Sequence, residues 1–108
     1  MAIIPTITAV SYLNTIPFVY GLKHADNLRA DLLLAPPAEC AKNYIEGKAD
    51  IALLPAAVVP ELKQTNIITD YCIGAVGPVR TVTVMSNEPI GSAKRIWLDS
   101  HSRTSVQL

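Results

Sequence analysis

The chain has 108 residues, nine Lys+Arg against nine Asp+Glu, a formal net charge of zero and 50% apolar residues, a composition that can bury a core and so excludes disorder. Balanced charge without a basic cluster, and only 6% aromatic residues, exclude nucleic acid as the main partner, because both the electrostatic footprint and the stacking platforms are missing. No apolar run reaches the roughly 18 residues that span a bilayer, so no membrane partner is expected.

Ile3 to Val10 reads as a β-strand interrupted by Pro5. Asn14 or Thr15 then suits a helix cap, with Pro17 in the first turn, where a missing N–H is tolerated. Phe18, Val19 and Leu22 form the apolar patch of this helix, and Lys23 to Asn27 break it. Asp31 to Ala35 is continuously apolar after its aspartate, which predicts a second, buried strand. A helix over Ala38–Glu46 follows Pro37, with Ala38, Ala41 and Ile45 at helical spacing and Gly47 placed for a left-handed cap. Asp50–Leu54 is a third short buried strand, and Pro55–Leu62 a short helical turn interrupted at Pro60. Asn66–Ala75 is strand-like, Thr81–Ser86 alternates as a strand does, and Arg95–Asp99 is a last strand. Strand and helix alternating at this spacing predict right-handed βαβ units on a parallel sheet.

Ser102 to Leu108 looks like a hydroxyl-capped helix start, yet a mean helix runs about 11 residues. The sequence is therefore expected to stop inside an element and to be a fragment. The first five residues lack the basic and small-residue features of a secretory signal, which predicts a cytoplasmic protein. Cys40 and Cys72, 32 positions apart, are expected to be reduced thiols in that compartment. Neither pairs with His at zinc-ligand spacing.

Two segments are candidates for a site, since in open α/β sheets ligands bind beyond the carboxyl ends of strands. The first, Ser11-Tyr12-Leu13-Asn14-Thr15-Ile16-Pro17, follows the first strand and can present the Asn14 amide to a substrate; a capping role for Asn14 and a packing role for Tyr12 are the plainer reading. The second is Ser102-Arg103-Thr104-Ser105, where hydroxyls and free N–H groups at a helix start suit a carboxylate or phosphate. Arg103 adds a bidentate donor there, the alternative being an ordinary cap with Arg103 solvated or paired to Asp99. His24 and His101 lie in polar loops without a catalytic partner, and Asp50 begins a strand at the end opposite the ligand, where it caps or pairs. Gly74-Ala75-Val76-Gly77 lacks the residues of a phosphate loop or a dinucleotide fingerprint.

Several blocks together resemble one family. They are Val10-Ser11-Tyr12-Leu13-Asn14-Thr15-Ile16-Pro17 with Tyr20-Gly21-Leu22, Asp50-Ile51-Ala52-Leu53-Leu54-Pro55, Ile73-Gly74 through Gly77-Pro78-Val79-Arg80-Thr81-Val82, and Leu98-Asp99 with Ser102-Arg103-Thr104-Ser105-Val106-Gln107-Leu108. In order and spacing they resemble the chorismate dehydratases of the futalosine route of menaquinone biosynthesis, with Ser-Tyr-Leu-Asn and Ser-Arg-Thr-Ser the most specific pieces. The resemblance implies an α/β, type II periplasmic-binding-protein-like fold, a parallel or mixed sheet flanked by helices, in two lobes with substrate between them. Residues 1–90 would supply most of lobe one, and residues 91–108 the first strand and helix start of lobe two.

The resemblance further implies a carbon–oxygen lyase that removes water from chorismate to give 3-[(1-carboxyvinyl)oxy]benzoate, with no cofactor. It places Asn14 nearest the chemistry, Thr81 as a hydroxyl contact, and Thr104 and Ser105 as the carboxylate grip; Ser11 and Arg103 are expected to add substrate contacts. Thr81 departs from the serine expected in the family, keeping a hydroxyl but adding a methyl. No general base stands in the matched segments, so the substrate's own carboxylate is expected to assist while the protein orients it. Three other readings stand beside this one. They are a non-catalytic domain of the same fold gripping a small carboxylate, the sister enzyme that splits a cyclic futalosine derivative, and an inactive fragment or interaction domain. A fragment would expose an apolar cleft face prone to self-association.

Overall fold

The computed structural model describes residues 3–102 and residue 106. The chain divides into two compact units, Met1–Ile73 and Gly74–Leu108.

In the first unit, β1 (Thr6–Val10), β2 (Asp31–Ala35) and β3 (Ile51–Ala52) form a sheet in the order β2-β1-β3. Both pairings are parallel, with Ile7 opposite Leu32 and Ile51, and Thr8 opposite Leu33 and Ala52. Helices α1 (Ile16–His24) and α2 (Pro37–Ile45) make the crossovers, as the alternating pattern predicted. Side-chain alternation puts Ile7, Leu32 and Ile51 on one face and Thr8, Leu33 and Ala52 on the other. The connection reverses direction after β2, so right-handed crossovers send α1 and α2 to opposite faces. Consecutive residues Ile7, Thr8 and Ala9 are all buried, which only a strand covered on both faces can achieve.

Helix α1 runs through Gly21, and its half-buried residues include the predicted Phe18, Val19 and Leu22. Helix α2 starts on Pro37, whose missing N–H is harmless in a first turn. Cys40, Ala41 and Asn43 are its buried residues, and the half-buried Pro37 and Tyr44 extend the same face at i, i+3, i+4 and i+7 with Cys40 and Ala41. The expected Ala38 and Ile45 are exposed instead. Only Ala41 of the expected set faces inward, because the helix is rotated to set Cys40 against the end of β2. At the far end, Gly47 adopts φ 72°, its N–H donates to the Tyr44 carbonyl at 3.1 Å, and that of Lys48 donates to Asn43 at 2.8 Å. This pair of bonds is a Schellman motif.

Several expectations are corrected. β2 is a sheet edge, so Leu33 and Leu34 are 40% and 45% exposed rather than buried, and β3 is two half-buried residues long. Pro55–Leu62 does form a helical turn, a 3-10 helix over Ala56–Glu61 that contains Pro60. Asn66–Ala75, Thr81–Ser86 and Arg95–Asp99 are not strands among the described residues. A strand persists only where its N–H and C=O groups find a ladder partner. Here the sheet ends at β2 and β3, and Ile67, Ile68, Val84, Met85, Ile96 and Trp97 are exposed.

The second unit, among its described residues, consists of turns and one 3-10 turn, Ile90–Ser92. Ser86 Oγ accepts the N–H of Glu88 at 3.2 Å, and Asp99 Oδ1 that of His101 at 2.9 Å. Val106 donates to the Ser102 carbonyl at 3.3 Å, the i to i−4 reach of a helical turn.

Candidate active site

The strand order itself marks the place. The chain leaves β1 toward β2 on one side and returns to β3 on the other, and in open α/β sheets ligands bind beyond the carboxyl ends of the strands where the order reverses. The segment after β1 is Ser11-Tyr12-Leu13-Asn14, and the one after β3 is Leu53-Leu54-Pro55.

Main-chain bonds fix both segments. Ser11 donates its N–H to the Ala35 carbonyl at 3.0 Å, and the buried Cys40 thiol donates to the same oxygen at 3.4 Å. The end of β2 thereby holds the loop that follows β1. On the other side Leu53 donates to the Thr8 carbonyl at 2.9 Å, and Val58, fully buried, to Pro55 at 2.9 Å. Anchoring by Ala35 was invisible in the sequence, because a main-chain acceptor leaves no mark on residue type.

Leu13–Thr15 form a 3-10 turn that runs directly into α1. Thr15 donates its N–H to Tyr12 at 3.0 Å, and Ile16 to Leu13. The Ile16 N–H is thus taken and Pro17 has none, which leaves Asn14 no donor to cap, and Thr15 makes no side-chain cap bond to α1 either. Asn14 is exposed, and its amide has no hydrogen-bond partner among the described residues. Ser11 is exposed beside it in the chain, and Tyr12 is 42% exposed rather than packed. Thr15 is fully buried, and its hydroxyl has no partner among the described residues. The loop thus presents amide and hydroxyl dipoles, groups that can orient and polarise a bound molecule.

The remaining candidates are not brought to this loop by anything described. Thr81 is exposed and belongs to the second unit. Arg103, Thr104 and Ser105 lie outside the described residues. Asp50 lies at the amino end of the sheet and pairs with Thr6, as expected of a residue opposite the site. His24 stacks on Tyr20 with ring centroids 4.0 Å apart, its Nδ1 2.8 Å from the Tyr20 carbonyl. Cys40 and Cys72 are both free thiols, buried and exposed respectively. No described helix is long and apolar enough to cross a membrane.

A protein-family model described as menaquinone biosynthesis matches residues 5–108. The chain belongs to that menaquinone biosynthesis family, and membership of a biosynthetic family points to an enzymatic role. No curated protein and no solved structure matches it.

Proposed function

We propose that the chain carries the first lobe, over residues 1–90, and the start of the second, over residues 91–108, of a chorismate dehydratase with a type II periplasmic-binding-protein-like fold. The observation that carries the reading is the exposed, unpartnered Asn14 amide in the Ser11–Asn14 loop, held beyond the central strand of an order that reverses at β1, in a menaquinone biosynthesis family member.

The reaction is a balanced loss of water. A ring C–H bond breaks, its electron pair becomes ring π-bonding, and the ring C–OH bond breaks as hydroxide leaves with a proton. Aromatisation supplies the driving force. The barrier lies in removing the proton and holding the leaving hydroxyl in line. Asn14 orients the substrate and stabilises charge as it develops, Ser11 and Thr81 add hydroxyl contacts, and Arg103, Thr104 and Ser105 grip a carboxylate. The chain's residues in the loop offer no base, so a carboxylate of the substrate takes the proton. The two free thiols fit a reducing cytoplasmic setting.

The test is to incubate the protein with chorismate and follow 3-[(1-carboxyvinyl)oxy]benzoate by chromatography. Formation of that product supports the reading. Saturable chorismate binding without turnover overturns it in favour of a non-catalytic carboxylate-binding domain.

A further inference from the structure

A second concave region lies at the other end of the sheet, under the last turn of α1. It is a solvent-open groove of about 380 Å³ lined by Leu22, Leu28 and Leu32 beside Ile7, which is 4% exposed. Lys23 and Arg29 line it as well. Neither cation forms an ion pair among the described residues, although the Asp31 carboxylate lines the same space. Two cations against one carboxylate leave one positive charge uncompensated beside aliphatic walls.

We infer that this groove is a ligand site distinct from the Ser11–Asn14 loop, taking a monocarboxylate with an aliphatic body. The volume falls in the range of small-molecule sites, which are mostly apolar with a few placed polar groups. The Arg29 guanidinium offers a planar fork that matches a carboxylate, and Lys23 a mobile point charge. The walls carry no aromatic ring, so an alkyl chain fits them better than a stacked ring. A single excess charge matches a monoanion rather than a dianion. The location is opposite the carboxyl ends of the strands: Asp31 opens β2, and its N–H is already bonded to Pro5 at 2.9 Å. The site therefore stands or falls independently of the dehydratase reading.

Sodium decanoate, kept below its micellar concentration, tests it by calorimetry and by amide NMR shifts of the full chain. Expected are saturable binding with shifts concentrated over residues 22–32, and affinity lowered about tenfold or more by Lys23→Gln with Arg29→Gln, since each charge-assisted bond is strong relative to a neutral one. Decanol, lacking the charge, and acetate, lacking the chain, should each bind at least about tenfold more weakly. Lys23 and Arg29 are both exposed, so each single variant serves if the double variant loses its fold. Asn14→Ala leaves decanoate binding unchanged, which separates this site from the proposed active site. Absence of saturable binding, shifts scattered over other exposed apolar side chains, or undiminished affinity in the charge variants overturns the inference.

Discussion

Asp50 and Thr6 hold each other at both ends of a two-bond clamp. Asp50 Oδ2 accepts the N–H of Thr6 at 2.8 Å, and the N–H of Asp50 donates to the Thr6 carbonyl at 2.9 Å. The clamp joins the first residue of β1 to the residue just before β3, 44 positions later. Because β3 has only two residues, this pair supplies much of its registration against β1. Asp50→Ala should therefore cost about 1 kcal/mol, the usual net worth of a hydrogen bond that solvent can reach. Asp50→Asn keeps an acceptor oxygen and should recover part of the loss in urea unfolding. Equal stability of Asp50→Ala and the parent protein would mean that β3 is registered without the clamp.

Gly47 ends α2 at φ 72°, with open space around the position a Cβ would take. The cost of a side chain there is conformational rather than steric contact with neighbours. Gly47→Ala should destabilise the fold by about 1 kcal/mol, read as a lower thermal midpoint without change in the unfolding slope.

Thr8 is fully buried in β1, and its hydroxyl has no partner among the described residues. An unsatisfied buried hydroxyl is unfavourable, and valine matches its shape. Thr8→Val should raise stability by about 1 kcal/mol in denaturant titration. A loss of stability instead would show that the hydroxyl finds a partner in solution.

Glu46 pairs with Lys48 at 2.7 Å and with Lys42 at 3.9 Å. The hydrogen bond from Lys48 holds its carboxyl below the usual carboxylate range; the charges of Lys48 and Lys42 act in the same direction, and desolvation opposes them. The same hydrogen bond holds Lys48 above the usual lysine value. A carboxyl with a lowered folded pKa contributes stability above its unfolded pKa and loses it as pH falls through the folded value. The raised lysine contributes below its unfolded pKa and loses it as pH rises through its folded value. The pair is exposed, so its contribution is small and screened by salt. NMR titration of the Glu46 carboxyl should show a higher midpoint in Lys48→Gln and in high salt, and an unmoved midpoint in Lys48→Gln would contradict the assignment.

Asn14→Ala in a chorismate-dehydrating preparation should lower kcat by about 10²- to 10³-fold, the range for loss of one preorganised donor at developing charge. KM should change far less, because the amide is assigned to the transition state rather than to binding. Unchanged kcat would remove Asn14 from the reaction.

Local chemistry made much of the first unit legible in the sequence. Pro37 at the head of α2 and Gly47 at its end are matters of φ and a missing N–H, properties of single residues. The same holds for Pro17 in the first turn of α1 and for the half-buried set Phe18, Val19 and Leu22, where spacing alone selects a face. The Ser11–Asn14 loop was legible as a candidate because it follows a strand, and Asp50 as a structural residue because it precedes one.

Other features depend on partners that no local pattern names. Asp31–Ala35 and Thr6–Val10 both read as strands in the sequence, yet one is an edge and the other a buried centre, because strand order decides which side of a strand meets water. Thr81–Ser86 alternates as a strand should, but alternation supplies no ladder, and its hydrogen-bonding groups need a neighbour that the three-stranded sheet does not provide. Asn14 has the residue type of a cap, and only the run of the 3-10 turn into α1 takes the capping donors away and leaves the amide free. Residue order alone was enough for the start of α1 and both ends of α2, since those are short-range consequences of backbone dihedrals and a missing N–H. The tertiary structure alone decided which strand is central, which thiol and hydroxyl are buried, and that the Ala35 carbonyl holds Ser11, since those follow from pairings between residues far apart in the chain.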